Sequence, residues 1–82
     1  MESLARTSEQ IGTVLRRARK AKGWTQKDVS SRSGLRVATI SSVENGGAGT
    51  QIKTILAIMM AFDLEFRIGE RGASQPDIED IF

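Results

Sequence analysis

The side chains best suited to chemistry fall in one short segment: Thr25, Gln26, Arg36, Val37, Ala38, Thr39, Ser41, Ser42 and Asn45. They offer hydroxyls, amides, a guanidinium and small apolar surfaces. Such a set makes hydrogen bonds and methyl contacts rather than breaking bonds. The chain has no cysteine and no histidine, the side chains on which nucleophilic and acid–base chemistry at neutral pH leans most. Carboxylates remain, but a domain this small has few acids to line a cleft. The expectation is therefore no enzyme, no catalytic residue and no cofactor. A zinc finger is excluded by the same two absences, so no metal is expected.

Charge is divided along the chain. Residues 1–36 hold nine basic and three acidic residues, net +6; residues 37–82 hold three basic and seven acidic ones, net −4. A basic half suits a polyanion-binding surface. It equally suits a solvated helix face balanced by an acidic neighbour.

At 82 residues the chain is one domain, and a marginal one without help. With disulfides and metals excluded, self-association is the help left open. The first ten residues are polar, with no secretory pattern. The longest apolar run, Ile55 to Phe62, is too short to span a bilayer. A cytoplasmic protein is expected.

The elements that must carry these side chains can be read from punctuation and period. Residues 1–7 form an N-terminal arm, with Thr7 and Gln10 at capping-box spacing. Ile11, Val14, Leu15 and Ala18 follow at helical spacing, predicting a helix over 8–22 that Gly23 ends in the left-handed conformation. Trp24 sits in the turn as an apolar wedge. Thr25 caps a second helix over 26–33, with Asp28 near its positive end. A third helix spans 37–44, before the breaker Asn45-Gly46-Gly47-Ala48-Gly49. Thr50 caps a fourth helix over 51–62. Its stripe of Ile52, Ile55, Leu56, Met59 and Phe62, widened by Ile58 and Met60, covers about 200°, roughly twice the face of an ordinary surface helix.

After Asp63 the period becomes two: Leu64, Phe66 and Ile68 alternate with Glu65, Arg67 and Gly69, predicting a strand over 64–70. It has no partner elsewhere in the chain. Segment 63–71 is accordingly expected to be a dimerisation strand, pairing with its copy about a two-fold axis while Ile58 or Met60 is covered. Dimerisation is assigned to Ile58, Met60, Leu64, Phe66 and Ile68. The acidic tail, 72–82, carries Asp77, Glu79 and Asp80 with Ile78, Ile81 and Phe82 as apolar anchors.

The register within 26–43 is specific. Counting from Gln26, two helices joined by a tight turn want an apolar residue at the fourth place, a small one at the fifth and glycine at the ninth. They want apolar residues again at the tenth, fifteenth and eighteenth. Val29, Ser30, Gly34, Leu35, Ile40 and Val43 stand there. This is helix-turn-helix spacing. A helical hairpin with no nucleic-acid role would also satisfy it, as would a module that inhibits a partner without touching DNA.

The order T-Q-x-x-V-S-x-x-S-G-L-x-x-x-x-I-S-x-V-E-N-G over 25–46 resembles the Xre group of lambda-repressor-like DNA-binding domains, over about residues 9–62. Ser30 departs from the group's usual alanine. The resemblance implies a mainly α fold of four helices plus one C-terminal β-strand pairing across a homodimer. It also implies a structural ion pair between Arg19 and Glu44. With that fold, residues 8–62 are the DNA-binding domain. Thr25 and Gln26 meet phosphate at the second helix's N-terminus. The third helix enters the major groove with Arg36, Val37, Ala38, Thr39, Ser41 and Ser42, and Asn45 meets the backbone again.

A narrower resemblance is to the HipB-like antitoxins, carried by Gly23-Trp24-Thr25-Gln26, Ala38-Thr39-Ile40-Ser41 and the layout after the fourth helix. It implies a repressor of a toxin–antitoxin operon that reads a pseudo-palindromic double-stranded operator and binds a HipA-like kinase toxin. Ile78, Ile81 and Phe82 are then candidate toxin contacts. The alternative is a free-standing Xre-type repressor or restriction controller with no toxin partner.

Overall fold

The computed structural model describes residues 3–71. Four helices follow one another: α1 (Ser8–Ala21), α2 (Gln26–Ser33), α3 (Val37–Glu44) and α4 (Ile52–Ala61). Each bound lies within a residue of the expected one, because local chemistry sets it. At α1 the Thr7 hydroxyl accepts from the Gln10 amide at 3.0 Å, whereas the Gln10 side chain turns to the Arg6 amide. At α2 the box is complete: Asp28 N–H donates to the Thr25 hydroxyl at 3.1 Å and Thr25 N–H to the Asp28 carboxylate at 2.8 Å. Gly23 (φ +72°) and Gly34 (φ +77°) turn the chain after α1 and α2 in the left-handed region, where a Cβ is strained.

Two expectations at α4 are corrected. Its N-cap is Gln51, without a side-chain bond; the Thr50 hydroxyl instead donates back to the Gly47 carbonyl at 3.0 Å. The apolar face is also rotated. Ile55, Ile58 and Phe62 are buried with Leu15, Val29, Ile40 and Val43, whereas Ile52, Leu56 and Met60 are exposed. Ile58 is 2% exposed and belongs to this chain's own core, so a second copy cannot cover it; Met60, 79% exposed, is the residue left uncovered. The reason is the contact of α4 with α2, which selects the stripe one step round the helix.

Segment 64–70 forms no strand ladder among the described residues. Leu64 N–H donates to the Met59 carbonyl at 2.8 Å and its side chain packs on the core, so Leu64 serves this chain first. Beyond it Phe66 and Ile68 are exposed. A ladder needs a second edge, and a single chain has none to give. The tail with Ile78, Ile81 and Phe82 lies outside the described residues. No helix among the described residues is long and apolar enough to cross a membrane.

Candidate nucleic-acid interface

The site is built on the crossing of three helices. α1 packs on α3 and α2 on α3. Gly12 makes the first contact possible: a Cβ there would lie 2.3 Å from the Val43 carbonyl oxygen and 2.8 Å from that of Glu44. At the end of α3 the Glu44 carboxylate is 5% exposed and meets Arg19, 12% exposed, at 2.7 Å. The pairing is a fork: Arg19 Nε donates to Oε2 at 2.7 Å and Nη2 to Oε1 at 3.0 Å, while Nη1 donates to the Trp24 carbonyl at 2.8 Å. Gln26 Nε2 adds a third donor to Glu44 Oε1 at 3.2 Å.

The carboxylate thus ties α1, α2 and α3 together, and its partner Arg19 adds the first turn. Burial opposes its ionisation, but the bonds from Arg19 and Gln26 and the charges of Arg19 and Arg16 outweigh it and hold the carboxyl below its usual range. The Glu44 hydrogen bond correspondingly raises Arg19, against its own desolvation. Asp28 is held low by the amide and hydroxyl of Thr25, keeping a negative charge at the start of α2.

This frame presents one face. Arg36 is the N-cap of α3 and makes no side-chain cap bond. Arg36, Val37, Ala38, Ser42 and Asn45 are exposed; Thr39 and Ser41 are half-buried. Asn45 Nδ2 reaches the Ser41 hydroxyl at 3.5 Å, joining two of the expected contact residues. Thr25 is exposed at the start of α2 beside half-buried Gln26. Such a face, rich in donors and small apolar groups at the exposed start of a helix, has the chemistry that base edges in a major groove complement.

A model of the family described as Helix-turn-helix matches residues 15–68. The chain belongs to the helix-turn-helix family. Its relatives there include HipB antitoxins and an HTH-type transcriptional regulator of Sinorhizobium fredii, 36% identical over 78 residues, 95% of this chain and 39% of that protein. Antitoxin HipB of Escherichia coli (strain K12) is 26% identical over 68 residues, covering 83% of this chain and 77% of that protein. A solved HipA–HipB–O2–O3 complex contains a chain that superposes with a TM-score of 0.79 at 24% identity, over 85% of this chain and 99% of that one; at that identity the match speaks for the fold. The restriction-modification controller protein C.AhdI from Aeromonas hydrophila superposes with a TM-score of 0.66 at 33% identity, over 71% of this chain and 88% of its own.

Against helix-turn-helix expectations the ion pair of Arg19 and Glu44 stands where the sequence put it. Gln26 does not act only outward, since its amide is committed to Glu44. Gly12 went unread, although an isolated glycine inside a strong helical pattern is a signal of close approach. Trp24 is the expected wedge, stacked on Phe62 at 5.5 Å between centroids and 19° between planes. The Arg32 guanidinium lies 4.0 Å from its centroid and Lys22 Nζ 5.3 Å, within cation–π range. Two of the basic residues near α2 are thereby spent partly on structure.

Proposed function

We propose that the chain is a sequence-specific DNA-binding transcriptional repressor that acts as a homodimer and as the HipB-like antitoxin of a HipA-like kinase toxin. The observation that carries the DNA reading is the exposed start of α3, with Arg36 free of capping duty, on a helix whose other end the buried Glu44 fork ties to the start of α2. Arg36 takes guanine bidentately; Val37 and Ala38 meet thymine methyls; Thr39, Ser41 and Ser42 supply hydroxyls. Thr25, Gln26 and Asn45 contact phosphate. The uncovered Met60, Phe66 and Ile68 support dimerisation through α4 and the segment after it. The antitoxin role rests on the HipB relatives and takes Ile78, Ile81 and Phe82 as the toxin contacts.

The match to C.AhdI favours a second reading, a free-standing regulator. Coexpression with a kinase encoded beside this chain separates the two: a stable complex supports the antitoxin, and separate elution supports the regulator. The DNA reading is tested by anisotropy on a duplex from the chain's own promoter. Arg36→Ala is expected to cost about 1–3 kcal/mol and relax preference at one base pair. Wild-type affinity should fall steeply with salt, at roughly −0.9 in log K per phosphate neutralised. Unchanged affinities for promoter and random DNA in Arg36→Ala, with a flat salt titration, would leave only an interaction module.

A further inference from the structure

α1 and α2 are capped by threonine side chains, but α3 is not: its N-cap is Arg36, which makes no capping bond. The start of the reading helix must be held by something else. The two peptides that flank the preceding residue, Leu35, are each held. The Ser30 hydroxyl, on the buried side of α2, donates to the Leu35 carbonyl, and Leu35 N–H donates to the Ser33 hydroxyl at 3.2 Å. Ser30's own carbonyl accepts from Gly34 N–H at 2.9 Å. The Leu35 carbonyl belongs to the peptide plane that leads into Arg36; with that plane fixed and the Arg36 carbonyl held by the Thr39 and Ile40 amides at 3.0 and 3.1 Å, the Arg36 backbone (φ −73°) and the direction of its Cα–Cβ bond are set.

We propose that Ser30 and Ser33 are positioning residues for base reading: a pair of hydroxyls that clamps Leu35 by its carbonyl and its amide and so aims the Arg36 backbone, leaving that arginine free of capping duty. The inference rests on the DNA reading above and adds two residues to it. Alanine, usual in the Xre group at the place of Ser30, keeps the helix contact but lacks the hydroxyl, so Ser30→Ala separates aim from packing.

The test uses the full chain and a duplex enriched by selection from a randomised pool. Affinities are measured for that duplex, for its variants at each base pair, and for a scrambled duplex, with wild type, Ser30→Ala, Ser33→Ala, Ser33→Thr and Arg36→Ala. Arg36→Ala identifies the base pair it reads. At that pair Ser30→Ala and Ser33→Ala should each lower discrimination about five-fold, the equivalent of one ordinary net hydrogen bond. Scrambled-duplex affinity and discrimination elsewhere should hold. Ser33→Thr, which keeps the hydroxyl, should retain wild-type discrimination, and amide exchange at Leu35 should quicken in Ser33→Ala alone of the two Ser33 variants. Discrimination unchanged in both alanine variants, or lost equally at every pair, overturns the clamp while Arg36 still reads. If Arg36→Ala itself changes discrimination nowhere, the DNA reading falls and the clamp falls with it.

Discussion

Replacing Gly12 by alanine sets two effects of opposite sign against each other. In a helix interior alanine is better than glycine by about 1 kcal/mol, so from sequence alone the change should stabilise α1. The packing says otherwise. The added Cβ would stand 2.3 Å from one carbonyl oxygen of α3 and 2.8 Å from the next, where ordinary contact begins near 3.4 Å. Relief needs about 1 Å of separation between α1 and α3. Both obstacles are backbone, so no side chain can swing away. Overpacking of this kind costs typically 1–3 kcal/mol; with two backbone oxygens opposed, the upper end applies, and the net loss after the helix gain is about 2 kcal/mol. For a domain of this size that is a fall of roughly 10 °C in Tm. Urea unfolding followed by Trp24 fluorescence measures it directly. Gly69→Ala is the control, since a Cβ there meets nothing within 4 Å and its φ is ordinary, and it should be neutral. A Gly12→Ala protein as stable as wild type, or more so, would refute the reasoning.

Two further outcomes follow from the same frame. Glu44→Gln should cost about 3 kcal/mol, because it leaves the buried Arg19 guanidinium without its charge partner. Since the folded Glu44 carboxyl is held below its usual range, its contribution is fully present above the unfolded value near 4.3 and is lost as pH falls through the lower folded one; urea midpoints between pH 3 and 7 should therefore fall less steeply in Glu44→Gln than in wild type, and parallel curves would contradict this. Met60→Glu should convert the proposed dimer to a folded monomer, with helical circular dichroism retained and mass halved in sedimentation; a dimer that survives the charge would move the interface away from α4.

The helices were legible because stop and start residues are local. Thr7, Gly23, Thr25 and Gly34 act within a few residues of themselves, and so do the glycines after Asn45. The motif register fixed the inward side of α2 and α3 for the same reason: Val29, Leu35, Ile40 and Val43 all join or pack on the core. What failed depends on distant partners. Ile58 and Met60 lie on one wide apolar face, and only the packing of α4 on α2 decides which of them turns inward. Gln26 has a second role that its neighbours in sequence do not show, because Glu44, eighteen residues away, is brought under its amide. Thr50 looks like a cap but spends its hydroxyl on the loop before it. Segment 64–70 has a strand's pattern, but a pattern supplies no second edge, and none is present among the described residues.

Two copies of α3, one from each protomer of the proposed dimer, should read DNA as a pair. Selection from a randomised duplex pool with the intact chain, followed by hydroxyl-radical footprinting of the enriched duplex, tests it most directly. The expected result is a pseudo-palindrome whose two half-sites are protected about one helical turn, roughly 34 Å, apart on one face of the helix, with Arg36→Ala enriching duplexes degenerate at the same base pair in each half. Enrichment of no sequence, or of a single unrepeated half-site bound by one chain, would contradict it.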